Sequence, residues 1–261
     1  MIVPTCEDDN FLLQPNALEK SITPNTRWLI LNSPNNPTGS VYSRAALAAL
    51  ADILVEHPGI AVLCDDIYEH IVYDDTQSCT LAEVAPTLFE RILTMNGASK
   101  AYSMTGWRIG YAGGPASLIS SMAKIMSQST GNPCTISQWA TIAALRGDQG
   151  FLESRRNSFQ ERRDFVVRRI NQINGLTCKT PKGAFYVYVS CKQHMGKTTA
   201  SGVTITSDEN FVEALLEDQG VAVVHGGAFG LTPYFRISYA ACLETLERAC
   251  KRIEKFCNAI A

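Results

Sequence analysis

The chain has 261 residues, a formal net charge of −2 and 46% hydrophobic residues. That length suffices for one large domain or two modest ones, and the composition is typical of a soluble globular protein. The near-neutral charge argues against a nucleic-acid surface or a polybasic membrane contact.

Cysteine and histidine usage indicates neither disulfides nor a metal site. The nine cysteines are scattered without a CxxC pair, and the four histidines are never at metal-ligand spacing. Free thiols are typical of a reducing compartment, and the first residues lack the basic and apolar regions of a signal peptide. We therefore expect a cytoplasmic protein without a metal.

In the first half of the chain, predicted strands alternate with helices, which favours a largely parallel sheet. Trp28 to Leu31 form a continuous apolar run, typical of a strand buried on both faces, and Ser43 is placed to cap the helix that follows. The predicted strands are 1–3, 28–31, 60–64, 91–95 and 109–113, and the predicted helices are 15–21 and 44–56.

The second half begins with helices and then changes to a mixed α+β pattern. Helices are predicted at 116–128, 135–146, 149–174, 207–219 and 243–261, and strands at 184–189, 221–224 and 235–239, the first of these half-buried. The long predicted helix 149–174 suits a connection between two lobes. We expect a domain boundary near residue 150, with domains 1–150 and 151–261.

A loop centred on Lys100 carries the first chemical signal. The lysine stands among small residues after a predicted strand, where desolvation would lower the pKa of its amine and make it nucleophilic. Arg108, eight positions later, offers a planar set of donors to an anion. The alternatives are a solvated surface lysine and an arginine stacked on Trp107.

Polar residues follow the predicted strands that precede this loop. Carboxyl ends of parallel strands meet at one end of a sheet, so we expect Asn36, Asp65, Tyr68 and Lys100 to converge. Asp65 can keep a ring nitrogen protonated, while Tyr68 and Asn36 can donate to a phenolate oxygen. The alternatives are a helix N-cap for Asp65 or Asp66, a core tyrosine and a turn-forming asparagine.

Arg236 stands in an otherwise apolar predicted strand. A buried charge is costly unless it is paired, and no acidic residue flanks it. A ligand carboxylate is one candidate partner, and a structural ion pair with a distant Asp or Glu is the other.

Four segments together resemble the class I/II aminotransferases, which use pyridoxal 5′-phosphate and have the aspartate aminotransferase fold. The overall pattern is most similar to bacterial aspartate aminotransferases of the Ib subgroup. The segments are Asn-Asn-Pro-Thr-Gly at 35–39, Asp-x-x-Tyr at 65–68, Ser-Lys-x-Tyr-x-Met-Thr-Gly-Trp-Arg at 99–108 and Phe-Arg-Ile-Ser-Tyr-Ala at 235–240. The resemblance implies an α/β fold of type I with a small α+β C-terminal domain, and a homodimer.

The resemblance also implies roles for individual residues. Lys100 would form the internal aldimine with the cofactor and move a proton on the substrate. Asp65 would pair with the ring nitrogen, and Tyr68 and Asn36 with the ring oxygen. Arg108, with Ser99, would hold the phosphate. Arg236 and Asn36 would bind the amino acid, with aspartate or a related amino acid and a 2-oxo acid as the substrates.

Residues 1–26 contain no counterpart of the long segment that precedes these motifs in the family. The chain resembles the last two-thirds of such an enzyme, so we expect an incomplete large domain, an exposed sheet edge and weakened cofactor binding. Two alternatives to transamination stay open. One is a lyase on the same cofactor, and the other is a catalytically impaired fragment that only binds it.

Overall fold

The computed structural model describes residues 1–260, which divide into two compact units with one sheet each. The lysine unit comprises residues 12–35 and 41–156. The C-terminal unit comprises residues 1–11, residues 36–40 and the chain from Asn157 onward. The division falls inside a helix, and the domain boundary that the sequence indicates near residue 150 stays a prediction.

The sheet of the lysine unit has the strand order β1-β2-β3-β4. Its first three strands are parallel, and β4 pairs antiparallel with β3. Asp65 pairs in register with Asn32 of β1 and Met95 of β3, so the carboxyl ends of three strands lie together. The strands are β1 (Trp28–Asn32), β2 (Ala61–Asp65), β3 (Ile92–Gly97) and β4 (Gly110–Gly113).

Six helices begin in the lysine unit. The predicted cap of the second is confirmed, because Ser43 Oγ accepts the Ala46 N–H at 3.1 Å. Leu50 and Leu54 of that helix are completely buried, which contributes about 1.5–3 kcal/mol each. The helices are α1 (Pro15–Ser21), α2 (Arg44–Val55), α3 (Leu81–Val84), α4 (Ala116–Ser129), α5 (Thr135–Arg146) and α6 (Phe151–Ile170).

The sheet of the C-terminal unit is antiparallel, with the order β5-β6-β8-β7. Two helices complete the unit, and Phe211 of the first stacks on Phe235 of the sheet at 5.2 Å and meets Phe256 edge-on at 5.3 Å. These rings form the centre of its core. The elements are β5 (Thr177–Cys178), β6 (Tyr186–Ser190), α7 (Asp208–Gln219), β7 (Val224–His225), β8 (Tyr234–Ser238) and α8 (Leu243–Asn258).

Residues 36–40 belong to the C-terminal unit because of a close backbone approach at Gly39. Its carbonyl accepts the N–H groups of Lys182 and Gly183 at 3.0 and 2.8 Å. Gly39 has a φ of +69°, and an added Cβ would lie 2.7 Å from the carbonyl oxygen of Gly183. Only glycine fits this backbone without strain, and the docked segment carries Asn36.

One predicted strand is absent from the structure, and two others differ from the prediction in how buried they are. Residues 1–3 have no regular structure, and no described strand pairs with them. Trp28 and Ile30 of β1 are 44% and 69% exposed; they point to the same face of a strand that lies at one end of the sheet order. Conversely, β6 is buried at all five positions, since it lies between two other strands.

The ends of two predicted helices also differ. Helix α6 ends at Ile170 instead of residue 174, because the Asn171 side chain exchanges two hydrogen bonds with the backbone of Cys178, at 3.0 and 2.8 Å. Such side-chain bonds compete with helical ones. The predicted end of the last helix, Ala261, lies outside the described residues, and α8 ends at Asn258.

Candidate active site

Lys100 lies in the loop after β3 and is half-buried. Its Nζ is 5.7 Å from the centre of the Tyr68 ring, which is itself only 4% exposed. A cation near the face of an aromatic ring is attracted by the ring's quadrupole. Lys100 is therefore held beside a buried ring and does not extend freely into solvent.

Hydrogen bonds within the loop fix the backbone around Lys100. Ser103 donates its N–H to the Lys100 carbonyl at 3.2 Å, and Thr105 Oγ1 donates to the Ser99 carbonyl at 3.1 Å. Ser103 has a φ of 53°, a left-handed conformation that is uncommon for a residue with a side chain. The lysine is thus presented by a tightly folded loop.

Asp65 ends β2 and faces the same loop. Its Oδ1 accepts the N–H of Ile67 at 3.3 Å. Burial raises the pKa of this carboxyl, while the Ile67 hydrogen bond and the charge of Lys100 oppose that shift. Within residues 1–260 no helix begins at Asp65 or Asp66, so the helix N-cap alternative is wrong.

Asp66 is a buried carboxyl that the sequence reasoning did not identify as part of the site. Its side chain is 6% exposed, and Oδ2 has no hydrogen-bond partner among the described residues. Burial, and then the charges of Glu69 and Asp65, raise its pKa to about 7. The Asp-Asp pair was visible in the sequence, but nothing in it indicated that the second carboxyl is the more buried.

Arg108 lies between the loop and β4, two residues before the strand begins, and is exposed. It has a left-handed φ of 56°, and its Nη1 donates to the Thr105 carbonyl at 3.1 Å. The Arg108 side chain therefore folds back onto the turn that begins at Thr105. Its other donors can meet an anion, as predicted from the sequence, and that role stays a prediction.

The C-terminal unit holds a second cluster of predicted residues. Arg236 Nη1 donates to Asn36 Oδ1 at 2.8 Å. The guanidinium carbon lies 4.7 Å from the Tyr186 ring centre and 4.9 Å from that of Phe229. Arg236 forms no ion pair with any described Asp or Glu, so the structural ion-pair alternative is wrong. Its Nε is buried and unpartnered within the described chain.

The predicted residues fall into two groups. The lysine unit contains Asp65, Tyr68, Ser99, Lys100 and Arg108, and the C-terminal unit contains Asn36 and Arg236. The structure thus brings Asp65 and Tyr68 to Lys100, and Asn36 to Arg236. A shared contact of Asn36 and Tyr68 with one ring oxygen stays a prediction. The contact of Tyr186 with Arg236 was not predicted. Tyr186 lies in β6, the strand that pairs with the Arg236 strand β8, and its aromatic ring was a usable signal.

Comparisons with known proteins agree with this reading. The profile of the family "Aminotransferase class I and II" matches residues 1–253. The aspartate/prephenate aminotransferase of Cereibacter sphaeroides is 54% identical over 254 residues, which are 97% of this chain and 64% of that protein. An aspartate aminotransferase of Rhizobium meliloti is 52% identical over 251 residues, or 96% and 61% of the two chains. The chain thus spans less than two-thirds of these relatives.

Solved structures confirm the predicted α/β fold. The aspartate aminotransferase of Rhizobium meliloti superposes with a TM-score of 0.95 at 51% identity, over 98% of this chain and 64% of that one. The Thermus thermophilus enzyme with maleate gives 0.88 at 40% identity, over 97% and 63%. No helix within residues 1–260 has both the length and the apolar character needed to cross a membrane. With a family profile that spans nearly its full length, the chain belongs to the class I and II aminotransferases.

Proposed function

We propose that this protein takes part in pyridoxal-phosphate-dependent transamination between an amino acid and a 2-oxo acid, with Lys100 as the reactive amine. The observation that carries the proposal is the grouping of Lys100 with the Tyr68 ring and the Asp65 carboxyl in a family member. Because the chain spans about 64% of its relatives' length, activity itself is part of the proposal.

The residues of the lysine unit fit the cofactor. A carboxyl whose pKa responds to the charge of Lys100 suits the ring nitrogen, and the exposed Arg108 with Ser99 suits the phosphate. Tyr68 and Asn36 offer donors for the ring oxygen. When bound, pyridoxal phosphate supplies an aldehyde carbon and an electron sink.

Lys100 has two tasks in this scheme. Its Nζ would hold the cofactor when no substrate is present, and, once the substrate amine has replaced it, the freed amine would accept a proton from the substrate Cα as a general base. The fixed loop backbone and the adjacent Tyr68 ring restrict where Nζ can lie. Restricted geometry makes proton transfer effectively unimolecular and thereby accelerates it.

Arg236 is the proposed site for the substrate α-carboxylate. Asn36 takes one N–H of the guanidinium, and the rings of Tyr186 and Phe229 lie close to its carbon. The remaining donors suit a carboxylate, which arginine binds bidentately. By the family resemblance, binding there would orient the Cα–H bond for abstraction.

Aspartate is the amino acid that we propose first. Two relatives at 54% and 52% identity are named aspartate/prephenate and aspartate aminotransferase. The arginine that would hold an α-carboxylate favours chemistry that keeps that group, and so favours transamination over loss of the α-carboxylate. A lyase that keeps the carboxylate is the alternative.

An absorption spectrum tests the proposal. Protein mixed with pyridoxal phosphate should show a pH-dependent band of lysine-bound cofactor that Lys100→Ala abolishes. The control Lys124→Ala, at an exposed lysine of α4, should keep the band. Folded protein without the band would contradict the proposal and favour a fragment without activity.

Substrates then separate the two enzyme readings. With aspartate and 2-oxoglutarate, formation of oxaloacetate and glutamate supports transamination. With serine in place of aspartate and no 2-oxo acid added, release of ammonia and pyruvate would instead support a lyase, because loss of the β-hydroxyl makes that reaction balance without an acceptor. Glutamate formation should also be lost in Lys100→Ala and kept in Lys124→Ala.

We also infer that two copies of the chain associate. The resemblance implies a homodimer, and α4 and α5 of the lysine unit each expose large apolar side chains, which together we call the exposed face on α4 and α5. Ile125, Ile136 and Trp139 are 71%, 72% and 67% exposed, and no residue of α4 is buried. A second copy that covers this face would remove those side chains from water.

A cytoplasmic location is the last part of the proposal. All nine cysteines are free thiols, which supports a reducing compartment. Cell fractionation with an antibody against the protein tests this, and recovery in an oxidising compartment would contradict it.

A further inference from the structure

Arg155, near the beginning of α6, contacts the loop that carries Lys100. Arg155 Nη1 donates to the Ala101 carbonyl at 3.1 Å and to Ser103 Oγ at 2.9 Å. These acceptors lie one and three residues after Lys100 in the chain. One guanidinium thus binds two loop residues that follow Lys100 in the chain.

A second contact joins the same two elements. Tyr102 Oη donates to Gln149 Oε1 at 2.8 Å, and the Tyr102 ring lies 6.0 Å from that of Phe151. The Gln149 amide in turn donates to the carbonyls of Ala144 and Gly147 at 2.9 and 2.7 Å. Gln149 is therefore fixed to the end of α5. Its hydrogen bond to Tyr102 ties the Lys100 loop to that fixed point.

The guanidinium of Arg155 is itself fixed. Its carbon lies 4.9 Å from the centre of the Phe151 ring, one helical turn earlier. Ring and guanidinium therefore support each other on the face of α6 that meets the loop. A long side chain held in one place loses little further entropy when it forms its hydrogen bonds.

The contacted loop has a backbone that needs support. Ser103 has a φ of 53°, a conformation that persists only where its surroundings fix it. Its N–H bonds the Lys100 carbonyl at 3.2 Å, so the peptide of Lys100 depends on that conformation. Arg155 bonds the side chain of Ser103 and the carbonyl two residues before it.

We propose that Arg155, together with Gln149, is a positioning residue that holds the Lys100 loop in the conformation that directs Nζ toward Tyr68 and Asp65. The inference rests on the proposed function of Lys100. Arg155 touches neither substrate nor cofactor in this scheme and acts through the loop backbone. A purely structural arginine would affect the stability of the unit as a whole without changing the loop selectively.

Hydrogen exchange of the full chain without cofactor tests the holding contact directly. In Arg155→Gln, the amides of residues 98–108 should exchange about tenfold faster, because two hydrogen bonds to a charged donor are lost. Arg155→Lys should recover part of the protection, since an ammonium can reach one acceptor. Arg168→Gln, at an exposed arginine of the same helix, is the control and should exchange as the parent does.

Binding of pyridoxal phosphate tests the positioning. Arg155→Gln should weaken covalent capture by Lys100 about tenfold and shift the pH midpoint of the absorption band, whereas Arg168→Gln should do neither. Unchanged loop exchange, or fast exchange with parental capture and pH midpoint, would overturn the inference. If the parent captures no cofactor, the proposed function fails, and the exchange data alone decide whether Arg155 holds the loop.

Discussion

The Arg236 guanidinium donates a hydrogen bond to Asn36 and also contacts two aromatic rings. Asn36 fixes one nitrogen at 2.8 Å, and the Tyr186 and Phe229 ring centres lie within 5 Å of the guanidinium carbon. An ammonium in the same place would keep the charge and lose the planar pair of donors. The bidentate geometry, more than the charge, is therefore what this residue contributes.

Arg236→Lys should weaken binding of the amino acid about 100-fold while cofactor capture by Lys100 is unchanged, since only the carboxylate loses a bidentate partner. Titration of the cofactor absorption with aspartate measures the first effect, and the spectrum without aspartate measures the second. Arg248→Lys, at an exposed arginine of α8, is the control. Parental aspartate affinity in Arg236→Lys would contradict the assigned role.

Asp66 links stability to pH at the residue scale. Its pKa rises from 3.8 to about 7 in the folded protein, so the folded state holds a proton that the unfolded chain has released. The stability that this carboxyl contributes is fully present below its pKa in the unfolded chain. It is lost as the pH rises through its pKa in the folded protein.

Asp66→Asn should therefore stabilise the protein more at pH 8 than at pH 5, because asparagine stays neutral. The parent loses roughly 2–3 kcal/mol from this carboxyl across that window, and the variant should not. Urea unfolding at both pH values measures the difference. Asp218→Asn, at an exposed aspartate, should follow the parent, and an equal pH dependence in Asp66→Asn would refute the assignment.

At the scale of elements, the docked segment 36–40 decides where Asn36 lies. Gly39 makes the docking possible through its positive φ and its close approach to Gly183. The segment contains no helix or strand, so its position depends on these backbone contacts.

Gly39→Ala should lower the free energy of unfolding by more than about 1 kcal/mol, since a Cβ is strained there by both conformation and space. It should also weaken aspartate binding, because Asn36 moves with the segment. Gly59→Ala is the matched control, as nothing lies within 4 Å of its added Cβ. Chemical unfolding measures both variants, and equal stability would contradict the argument.

Most elements could be predicted from local sequence, because their signals are local. The Ser43 and Ser207 caps bond the N–H groups of Ala46 and Asn210, as capping serines do. The exposed face of β1 could not be predicted from its apolar run alone, because such a run does not reveal what covers either face of the strand.

The same limit applies to the candidate site. Lys100, Asp65 and Arg236 stand in recognisable segments, whereas Arg155 stands in a helix rich in charged residues that reads as a solvated surface. Its contact with Ala101 joins residues 54 positions apart and depends on tertiary structure. Asp66 was missed for a similar reason, since burial depends on what packs against it.

At the scale of the whole molecule, the exposed face on α4 and α5 is an apolar surface that needs an explanation. Trp139 lies on it with two-thirds of its area in water, 67%. Large exposed aromatic residues are enriched at protein interfaces.

Trp139→Lys should shift the protein from dimer to monomer, because burying a charge within an apolar contact is costly. Sedimentation velocity measures the change. Leu216→Lys, at a 50% exposed leucine of α7, is the control and should leave the dimer intact. A parent that sediments as a monomer, or a Trp139→Lys variant that remains dimeric, would refute this role for the face.

The C-terminal unit is assembled from three separate stretches of chain, and this determines the order in which it can fold. The bond between Asn36 and Arg236 spans 200 residues, and that between Glu7 and Tyr234 spans 227. On the ribosome, both early stretches emerge long before their partners. Closure of such long loops is slow, so the unit should acquire its final packing only after synthesis has passed β8.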